Sequence, residues 1–384
     1  MTRARPALFA AAGAGGAGIV LIALARAFGP APLMRAWLIG WLFWLGIALG
    51  SLGLLMLYHL TGGVWGYAVR RPLEAAALTV PLLALLFLPL LFGLHDLYPW
   101  TNGAGGAAEP LANRAYLNVP FFLLRAGIYF TTWTGLALLF ARWSAEQDEA
   151  DTAKGAALAL RMQRLAGPGL VLYVVTMTFA GFDWLMALER GWWSSIFGMI
   201  VVVGQALSAL ALMILVAARL EAQGRLLGLG RPSTFHDFGN LMLMLVMLWA
   251  YLSFSQFLII WSGNLTDDIS WYLPRYRTSW VDVSAALLLF YFFVPFALLL
   301  FRQAKRRAPL LRAIASGLLL MRWVELVWTV EPSFDRHGFV LRLSDVVMPA
   351  AIGAIWLMVF RVLLGRAPIL ARHDPRLRQA TSHA

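Results

Sequence analysis

Ionisable residues inside long apolar runs are the part of this sequence best placed to do chemistry. Arg125 and Asp183 lie in separate apolar runs, and Arg322 and Glu325 lie three residues apart in a third. A charge near the middle of a bilayer costs about 2.5–3.5 kcal/mol on insertion scales, so such residues face the protein interior, find partners or line a water path. The sequence therefore predicts that these four side chains pair, hold a polar ligand or carry protons.

Two interpretations of these charges stay open at the level of sequence. Arg322 and Glu325 are i, i+3 neighbours on one helix face, so they can form a closed salt bridge or face a ligand. Asp183 is the best single candidate for a proton-accepting group, because no basic residue is close to it in its own run. Arg125 is a candidate partner of Asp183 across helices, or a group that holds the polar headgroup of a ligand.

The composition of the whole chain identifies the medium that surrounds these residues. The chain has 384 residues, of which 61% are hydrophobic and 13% are charged, and its net charge is +12. Soluble domains are about 45–50% apolar and about 25% charged. The composition predicts an all-α, polytopic integral membrane protein. Cysteine is absent, which excludes disulfides, thiolate metal sites and cysteine-ligated iron–sulfur clusters.

Ten stretches are long and apolar enough to cross a bilayer as helices, since a span needs about 20 mostly apolar residues. They are 7–28, 35–58, 73–94, 119–141, 169–189, 194–218, 237–262, 280–301, 309–329 and 344–364. The sequence thus predicts a single transmembrane domain over 1–384 with a short tail at 365–384, and its longest loops at 95–118 and 142–168.

Basic residues in the loops set the orientation. With the N-terminus inside, nineteen Lys and Arg residues fall in inside segments and eight in outside segments, so both termini are predicted to be cytoplasmic. The net charge is therefore attributed to orientation rather than to nucleic-acid binding.

The first span resembles a secretory signal peptide in part. Arg3 and Arg5 precede an apolar run that ends in an Ala-Leu-Ala sequence at 23–25. However, the run from Ala7 to Ala25 exceeds the usual 7–15 residue core of a signal peptide. Cleavage would also leave nine spans and break the alternation of charge, so we expect the span to be retained.

Two patterns within the spans imitate cofactor sites. Residues 13–18 match G-x-G-x-x-G, but a dinucleotide site needs a strand before the motif, so close helix packing explains the glycines better. The second span carries Gly46, Gly50 and Gly53, and Trp37, Trp41 and Trp44 share one of its faces. The glycines indicate close packing, and the tryptophans predict a packing stripe or, less simply, a stacking surface for a quinone ring.

Histidine placement bears on bound haem and metal. The six histidines lie at span ends or in loops, at positions 59, 95, 236, 337, 373 and 383. A membrane b-type haem takes axial histidines at buried depth. The sequence therefore predicts no haem, no metal and no redox centre in this chain.

Several stretches resemble one protein family closely. They are LYHLTGGVWG at 57–66, RRPLEA at 70–75, LFLPL at 86–90, GLHDLYPW at 93–100, FAGFDW at 179–184 and WAYLSFSQFLIIWSGNL at 249–265. Together they are similar to the F-type membrane subunit of bacterial alternative complex III, also described as its quinone-binding subunit 2. That complex is a quinol:cytochrome c oxidoreductase, and its large membrane subunits belong to the polysulfide reductase, NrfD-like group. The resemblance runs from about the second span to the C-terminal tail.

The resemblance implies ten spans built around two four-helix bundles in the bacterial inner membrane. It implies three kinds of partner: a paralogous NrfD-like membrane subunit, an iron–sulfur subunit and c-type cytochrome subunits. It further implies a non-catalytic or quinone-binding subunit that carries no cofactor, with quinone as the candidate ligand and a role in proton translocation. The matched polar residues become candidates for a proton path: His59, Glu74, His95, Asp96, Asp183, His236, Asp237 and Gln256.

Three functional hypotheses follow. The first is a membrane subunit of a respiratory quinol-oxidising complex that contributes proton half-channels, a quinone-facing surface, or both. In that case Asp183→Asn lowers quinol oxidation or proton movement and leaves assembly intact. The second is a structural scaffold in the same kind of complex, in which Asp183→Asn is silent. The third is a secondary transporter, which ranks last because no internal repeat is evident.

Overall fold

The computed structural model describes residues 29–102, 115–189, 191–226, 229–371 and 373–374, and every regular element in them is a helix. Nine of the helices are long: α1 (Pro30–Thr61), α2 (Val64–Phe92), α3 (Val119–Glu149), α4 (Thr152–Leu188), α5 (Phe197–Ala222), α6 (Pro232–Gly263), α7 (Trp280–Leu300), α8 (Ala308–Val330) and α9 (Leu343–Leu364). Short helices at Leu94–Leu97, Pro99–Asn102, Thr266–Ile269, Leu273–Arg277, Arg302–Arg306 and Glu331–Ser333 connect them.

The prediction of an all-helical fold is confirmed for the described residues. Eight of their helices are long and apolar enough to span a membrane, and α8, which carries Arg322 and Glu325, is not among these eight. The predicted first span at 7–28, with its glycine motif, lies outside the described residues. The count of ten spans and the arrangement as two four-helix bundles stay predictions.

The region 142–168, which the sequence suggested as a long loop, is almost entirely helical. Helix α3 continues to Glu149 and α4 begins at Thr152. The residues concerned are largely Ala, Leu, Arg, Glu and Lys, which favour helix. Asp151 caps α4, because its side-chain oxygen accepts a hydrogen bond of 2.8 Å from the Lys154 backbone N–H. Polarity in this region was therefore a poor guide to where the helices end.

Helices α1 and α5 lie at the centre, and most of their residues are buried. Their backbones meet at Gly50, where an added Cβ would lie 2.1 Å from the carbonyl oxygen of Gln205. At Gly53 an added Cβ would lie 2.9 Å from the ring of Tyr173 on α4. The glycines of α1 therefore serve close packing, as their spacing indicates.

Helix α2 is broken twice, and residues near the second break provide hydrogen-bond acceptors for two of the three tryptophans of α1. The α-helical conformation is interrupted after Ala77 and after Leu85, just before Pro81 and Pro89, each of which lacks a backbone N–H. Trp41 donates to the freed carbonyl of Leu83 at 2.8 Å. Trp37 donates to that of Leu86 at 2.9 Å, and Trp44 to Pro349 on α9 at 2.8 Å. These contacts support the interpretation of the three tryptophans as a packing stripe, because each indole N–H donates to a backbone carbonyl.

Buried ion pairs tie the helices together at both ends of the bundle. At one end, called the basic end here, Arg70 and Arg71 of α2 both bond to Glu74, and Arg70 also reaches Asp374 at 2.5 Å. The sequence placed Arg70 and Arg71 in a loop, whereas both are buried inside α2. At the opposite end, Glu331 bonds to Arg35 of α1 at 3.3 Å and to Arg342 at 3.1 Å.

Candidate functional site

Arg125 and Asp183 form a two-point ion pair between α3 and α4. Arg125 Nε donates to Asp183 Oδ2 at 2.9 Å, and its Nη2 donates to Oδ1 at 2.7 Å. The Tyr129 hydroxyl donates to Oδ2 at 2.9 Å. Both charged side chains are buried. The structure therefore brings together the two residues that the sequence suggested as partners across helices, with three donors on one carboxylate.

Aromatic residues enclose the guanidinium of Arg125. Its central carbon lies 3.7 Å from the ring centroid of Tyr116 and 4.4 Å from that of Phe121. Its Nη1 also donates to the backbone oxygen of Tyr116 at 2.9 Å. Such contacts between a cation and aromatic faces are favourable when water is excluded. The group is suited to holding α3, α4 and the segment before α3 in one arrangement.

A small cavity of about 250 Å³ adjoins this group on the side of the short helix at Pro99–Asn102. Trp100, Tyr116, Trp192 and the Glu189 carboxylate line it. Glu189 accepts a hydrogen bond of 2.6 Å from Arg336, so its charge is paired. The cavity is below the roughly 300–1,000 Å³ typical of ligand pockets.

Arg322 and Glu325 of α8 also form a buried pair, but this pair has a further neighbour on α6. Arg322 Nη1 donates to Glu325 Oε2 at 2.5 Å, and Trp249 Nε1 donates to Glu325 Oε1 at 2.7 Å. The guanidinium lies against α5 at Gly204, where an added Cβ would come within 2.2 Å of Arg322 Nη1. A glycine in α5 thus makes room for Arg322, which in turn fixes the carboxylate of Glu325.

Glu325 lines a second and larger cavity, which we call the lateral cavity. Its volume is about 770 Å³, within the range of small-molecule sites. It lies between α6, α7 and α8. Its lining includes Trp249, Gln256, Tyr272, Leu288, Phe292 and Glu325. The wall also includes the outward-facing Tyr251 and Phe254, each more than half exposed. The cavity therefore opens on the outer, apolar surface of the bundle.

Polar groups occur at two levels of the lateral cavity. Trp249 and Gln256 are seven residues apart on α6, which places them about 10 Å apart along the helix axis. The Gln256 amide accepts from Ser194 at 2.9 Å and donates to Tyr272 at 3.3 Å. Because 3.3 Å is long for a hydrogen bond, a ligand oxygen could take over this donor. Of the residues predicted from sequence, Gln256 and Glu325 are the two that line this cavity.

The backbone of α7 is irregular beside the cavity. Residues Leu288–Phe293 form a π-helical segment, and Pro295 follows it after one intervening residue. Single π-helical turns inside α-helices occur frequently at functional sites. Leu288, Phe292 and Phe293 of this segment line the cavity wall. The irregular turn therefore sets the position of three apolar side chains of the site.

Arg275 supplies a buried cation at the edge of the lateral cavity, and no local pattern in the sequence singles it out. Its guanidinium stacks on Trp271 at 3.6 Å and lies 5.1 Å from Trp328. It donates to the backbone oxygens of Trp271, Trp328 and Thr329. The last two are orphan carbonyls in the final turn of α8, so Arg275 caps that helix. Burial lowers the pKa of Arg275 to about 9, against the opposing charge of Glu189, so the group stays cationic at neutral pH.

At the basic end, Glu74 is enclosed by bonded partners. Arg70 Nε donates to its Oε1 at 2.9 Å, Arg71 Nη1 to its Oε2 at 2.8 Å, and the Ser144 hydroxyl to its Oε1 at 2.6 Å. Arg71 also pairs with Asp148 of α3. The network joins α2, α3 and Asp374, which follows α9 in the chain. This arrangement is suited to clamping helix ends.

The remaining predicted residues lie apart from the lateral cavity. His59 is buried near the basic end, and its ring stacks on Phe140 at 5.3 Å. His95 and Asp96 are exposed on the short helix after α2. His236 and Asp237 begin α6 with 4.0 Å between His236 Nδ1 and Asp237 Oδ1. His59, Glu74, His236 and Asp237 lie at the basic end, whereas His95 and Asp96 lie at the opposite end. The contacts among the described residues do not join these two groups into one proton path.

Comparisons with known proteins give no family. No model of a known protein family matches the chain. No curated protein matches it either. Within the described residues, no group of three His, Cys, Asp or Glu side chains is arranged to hold a metal ion.

Proposed function

We propose that this chain is a membrane subunit of a bacterial quinol:cytochrome c oxidoreductase of the alternative complex III type, and that the lateral cavity holds a quinone or quinol. The resemblance of residues 57–66, 70–75, 86–90, 93–100, 179–184 and 249–265 to the F-type subunit supports the assignment to such a complex. The single observation that carries the assignment to the cavity is the Glu325 carboxylate in an apolar cavity that opens on the bundle surface.

The cavity suits a molecule with a flat ring and a long apolar tail. Aromatic side chains from α6 and α7 offer faces for the ring, and the opening beside Tyr251 and Phe254 gives the tail a way into the lipid. A quinol hydroxyl would donate to Glu325, whose carboxylate Arg322 and Trp249 hold in place. The ring oxygen on the far side would accept from the Gln256 amide, which binds Tyr272 at 3.3 Å.

The assignment gives the electron-carrying groups to other subunits. The chain has no cysteine for iron–sulfur clusters or covalent haem, so a paralogous NrfD-like membrane subunit, an iron–sulfur subunit and c-type cytochromes would complete the complex. The excess of basic residues on one side supports an inner-membrane location with both termini cytoplasmic. Glu74, His236 and Asp237 at the basic end are then the candidates for a proton half-channel on the cytoplasmic side.

Purification of the tagged chain from its own host tests this assignment. The expected result is co-purification with c-type haem and iron–sulfur proteins, together with quinol:cytochrome c oxidoreductase activity in the eluted complex. Recovery of a homo-oligomer that carries no haem would contradict the assignment and favour the transporter hypothesis.

A structural scaffold is the second candidate, and the closed geometry at Asp183 favours it. Asp183 accepts three hydrogen bonds from Arg125 and Tyr129. This arrangement is expected of a residue that holds two helices together. Glu325→Gln separates the two candidates once the complex is in hand. Lower turnover in a complex of normal subunit content supports the quinone cavity, and unchanged turnover supports the scaffold.

A further inference from the structure

Four exposed arginines gather where α7 leads into α8. The backbone leaves the helical conformation at Phe301, forms the short helix Arg302–Arg306 and leaves it again at Arg307. Three arginines of this turn and one on the first part of α8 are exposed; they are Arg302, Arg306, Arg307 and Arg312. We call these four residues the arginine corner. It lies at the basic end of the bundle, because Lys305 beside it contacts the first part of α6.

No acidic residue of the same chain region compensates the arginine corner. The sequence contains no Asp or Glu between Asp282 and Glu325. None of the ion pairs among the described residues involves the four arginines. On α6 the one acidic residue is Asp237, which contacts His236. By contrast, Arg142 near the end of α3 is paired with Glu146. The corner is therefore a local excess of positive charge.

The backbone of the corner is fixed rather than loose. Lys305 is 92% buried, and its stem lies over Gly239 of α6, where an added Cβ would be 2.5 Å from Lys305 Cγ. Its ammonium group donates to Asn240 Oδ1 at 2.8 Å. Ala304 is also buried. One face of the short helix therefore packs on α6, and the arginines project from the other.

Apolar side chains and a helix terminus flank the arginines. Leu300, Phe301 and Leu310 are all exposed. Helix α8 begins beside them with no side-chain cap and no acidic residue in its first turn, so its free N–H groups and its dipole add to the positive field. A ligand that matches this surface has an anionic group next to an apolar portion.

We propose that the arginine corner binds the phosphate headgroup of an anionic phospholipid, with the acyl chains against Leu300, Phe301 and Leu310. Guanidinium groups bind phosphate oxygens in a two-point geometry, and the packed backbone of the corner keeps the four arginines close together in the chain. Basic clusters at the membrane surface attract anionic lipids through the same electrostatics. The exposed apolar flank favours a lipid over an acidic soluble protein as the occupant. This inference does not depend on the quinone assignment.

Native mass spectrometry of the purified full chain tests the proposal. The probe is dioleoyl phosphatidylglycerol, and dioleoyl phosphatidylcholine serves as the zwitterionic comparison. The variant Arg306→Gln/Arg307→Gln should bind phosphatidylglycerol roughly 25-fold more weakly, since each arginine near an anionic headgroup contributes about a fivefold change in affinity. Binding of phosphatidylcholine should stay unchanged.

The matched control is Arg161→Gln/Arg164→Gln, which removes two exposed arginines of α4 and so gives the same change in net charge. This control should keep the phosphatidylglycerol affinity. An equal loss of phosphatidylglycerol affinity in both double variants would show that only the overall charge matters and would overturn the proposal. Unchanged affinity in both variants would overturn it as well. Displacement of the lipid by millimolar inorganic phosphate would identify free phosphate as the ligand instead. Loss of the lipid when partner subunits bind would identify a protein as the occupant.

Discussion

Asp183 accepts two hydrogen bonds from the guanidinium of Arg125, at 2.9 Å and 2.7 Å, and a third from Tyr129 at 2.9 Å. The pair links α3 to α4 in a buried position. A carboxylate held in this way is well placed to fix two helices, whereas a proton carrier needs a site that can gain and lose its proton. The sequence indicated Asp183 as the leading candidate for a proton acceptor. The geometry of its hydrogen bonds favours a structural role for Asp183.

Asp183→Asn should destabilise the folded protein, because it leaves the charge of Arg125 buried without a counter-charge. Removal of one partner from a buried pair costs about 3–5 kcal/mol. The measurement is the thermal unfolding midpoint of the purified chain in detergent. The double variant Asp183→Asn/Arg125→Gln removes both charges and should recover part of the loss. Normal stability of Asp183→Asn combined with lost proton movement would instead support the proton-carrier role.

Gly50→Ala should disrupt the contact between α1 and α5. The added methyl group would lie 2.1 Å from the backbone oxygen of Gln205, and a backbone atom cannot move aside as a flexible side chain can. Overpacking of this kind costs about 1–3 kcal/mol or more. Gly127→Ala on α3 is the matched control, since nothing lies within 4 Å of its added Cβ. It should be neutral or stabilising by up to about 1 kcal/mol. Equal unfolding midpoints for the two variants would contradict the packing described.

Glu331 should make the stability of the protein depend on pH near neutrality. Burial, followed by the charge of Asp345, raises its pKa to about 7, although Arg35 and Arg342 favour the ionised form and Asp335 opposes it. Because the pKa in the folded state lies above the unfolded value of about 4.5, the stabilising contribution is complete below that value. It is lost as the pH rises through about 7.

The unfolding midpoint of the wild-type chain should accordingly fall between about pH 4.5 and about pH 7 and level off above that range. Glu331→Gln mimics the protonated side chain and should flatten this part of the profile. A Glu331→Gln variant whose midpoint falls as steeply as that of the wild type would show that another group controls the pH dependence.

Local patterns in the sequence were enough for the helices and for contacts within one helix. Apolar length identified the eight helices of the described residues that are long and apolar enough to span a membrane. Segments of this kind must be helical in lipid. The pairing of Arg322 with Glu325 follows from i, i+3 spacing. The Gly50 contact follows from the small-residue pattern, although its partner Gln205 could not be named.

Features formed by several helices could not be predicted from local patterns in the sequence. The lateral cavity depends on where Trp249, Tyr272 and Glu325 meet in space, and their separations along the chain carry no such information. Arg275 caps α8 from a short helix that precedes α7, so nothing local marks it. The burial of Arg70 was missed because charged residues near a span end are usually exposed, and its partner Asp374 is 304 positions away.

Photolabelling shows whether the lateral cavity holds a quinone. A photoreactive quinone analogue is added to the purified protein, and the labelled peptides are mapped by mass spectrometry. Ala250→Trp places a bulky ring in the cavity wall, while Leu248→Trp, two residues earlier on α6 and outside the lining, is the matched control. We expect labelling of α6 and α7 that excess unlabelled quinone suppresses, that Ala250→Trp abolishes and that Leu248→Trp keeps. Labelling that is unaffected by Ala250→Trp, or confined to helices away from the cavity, would contradict the claim.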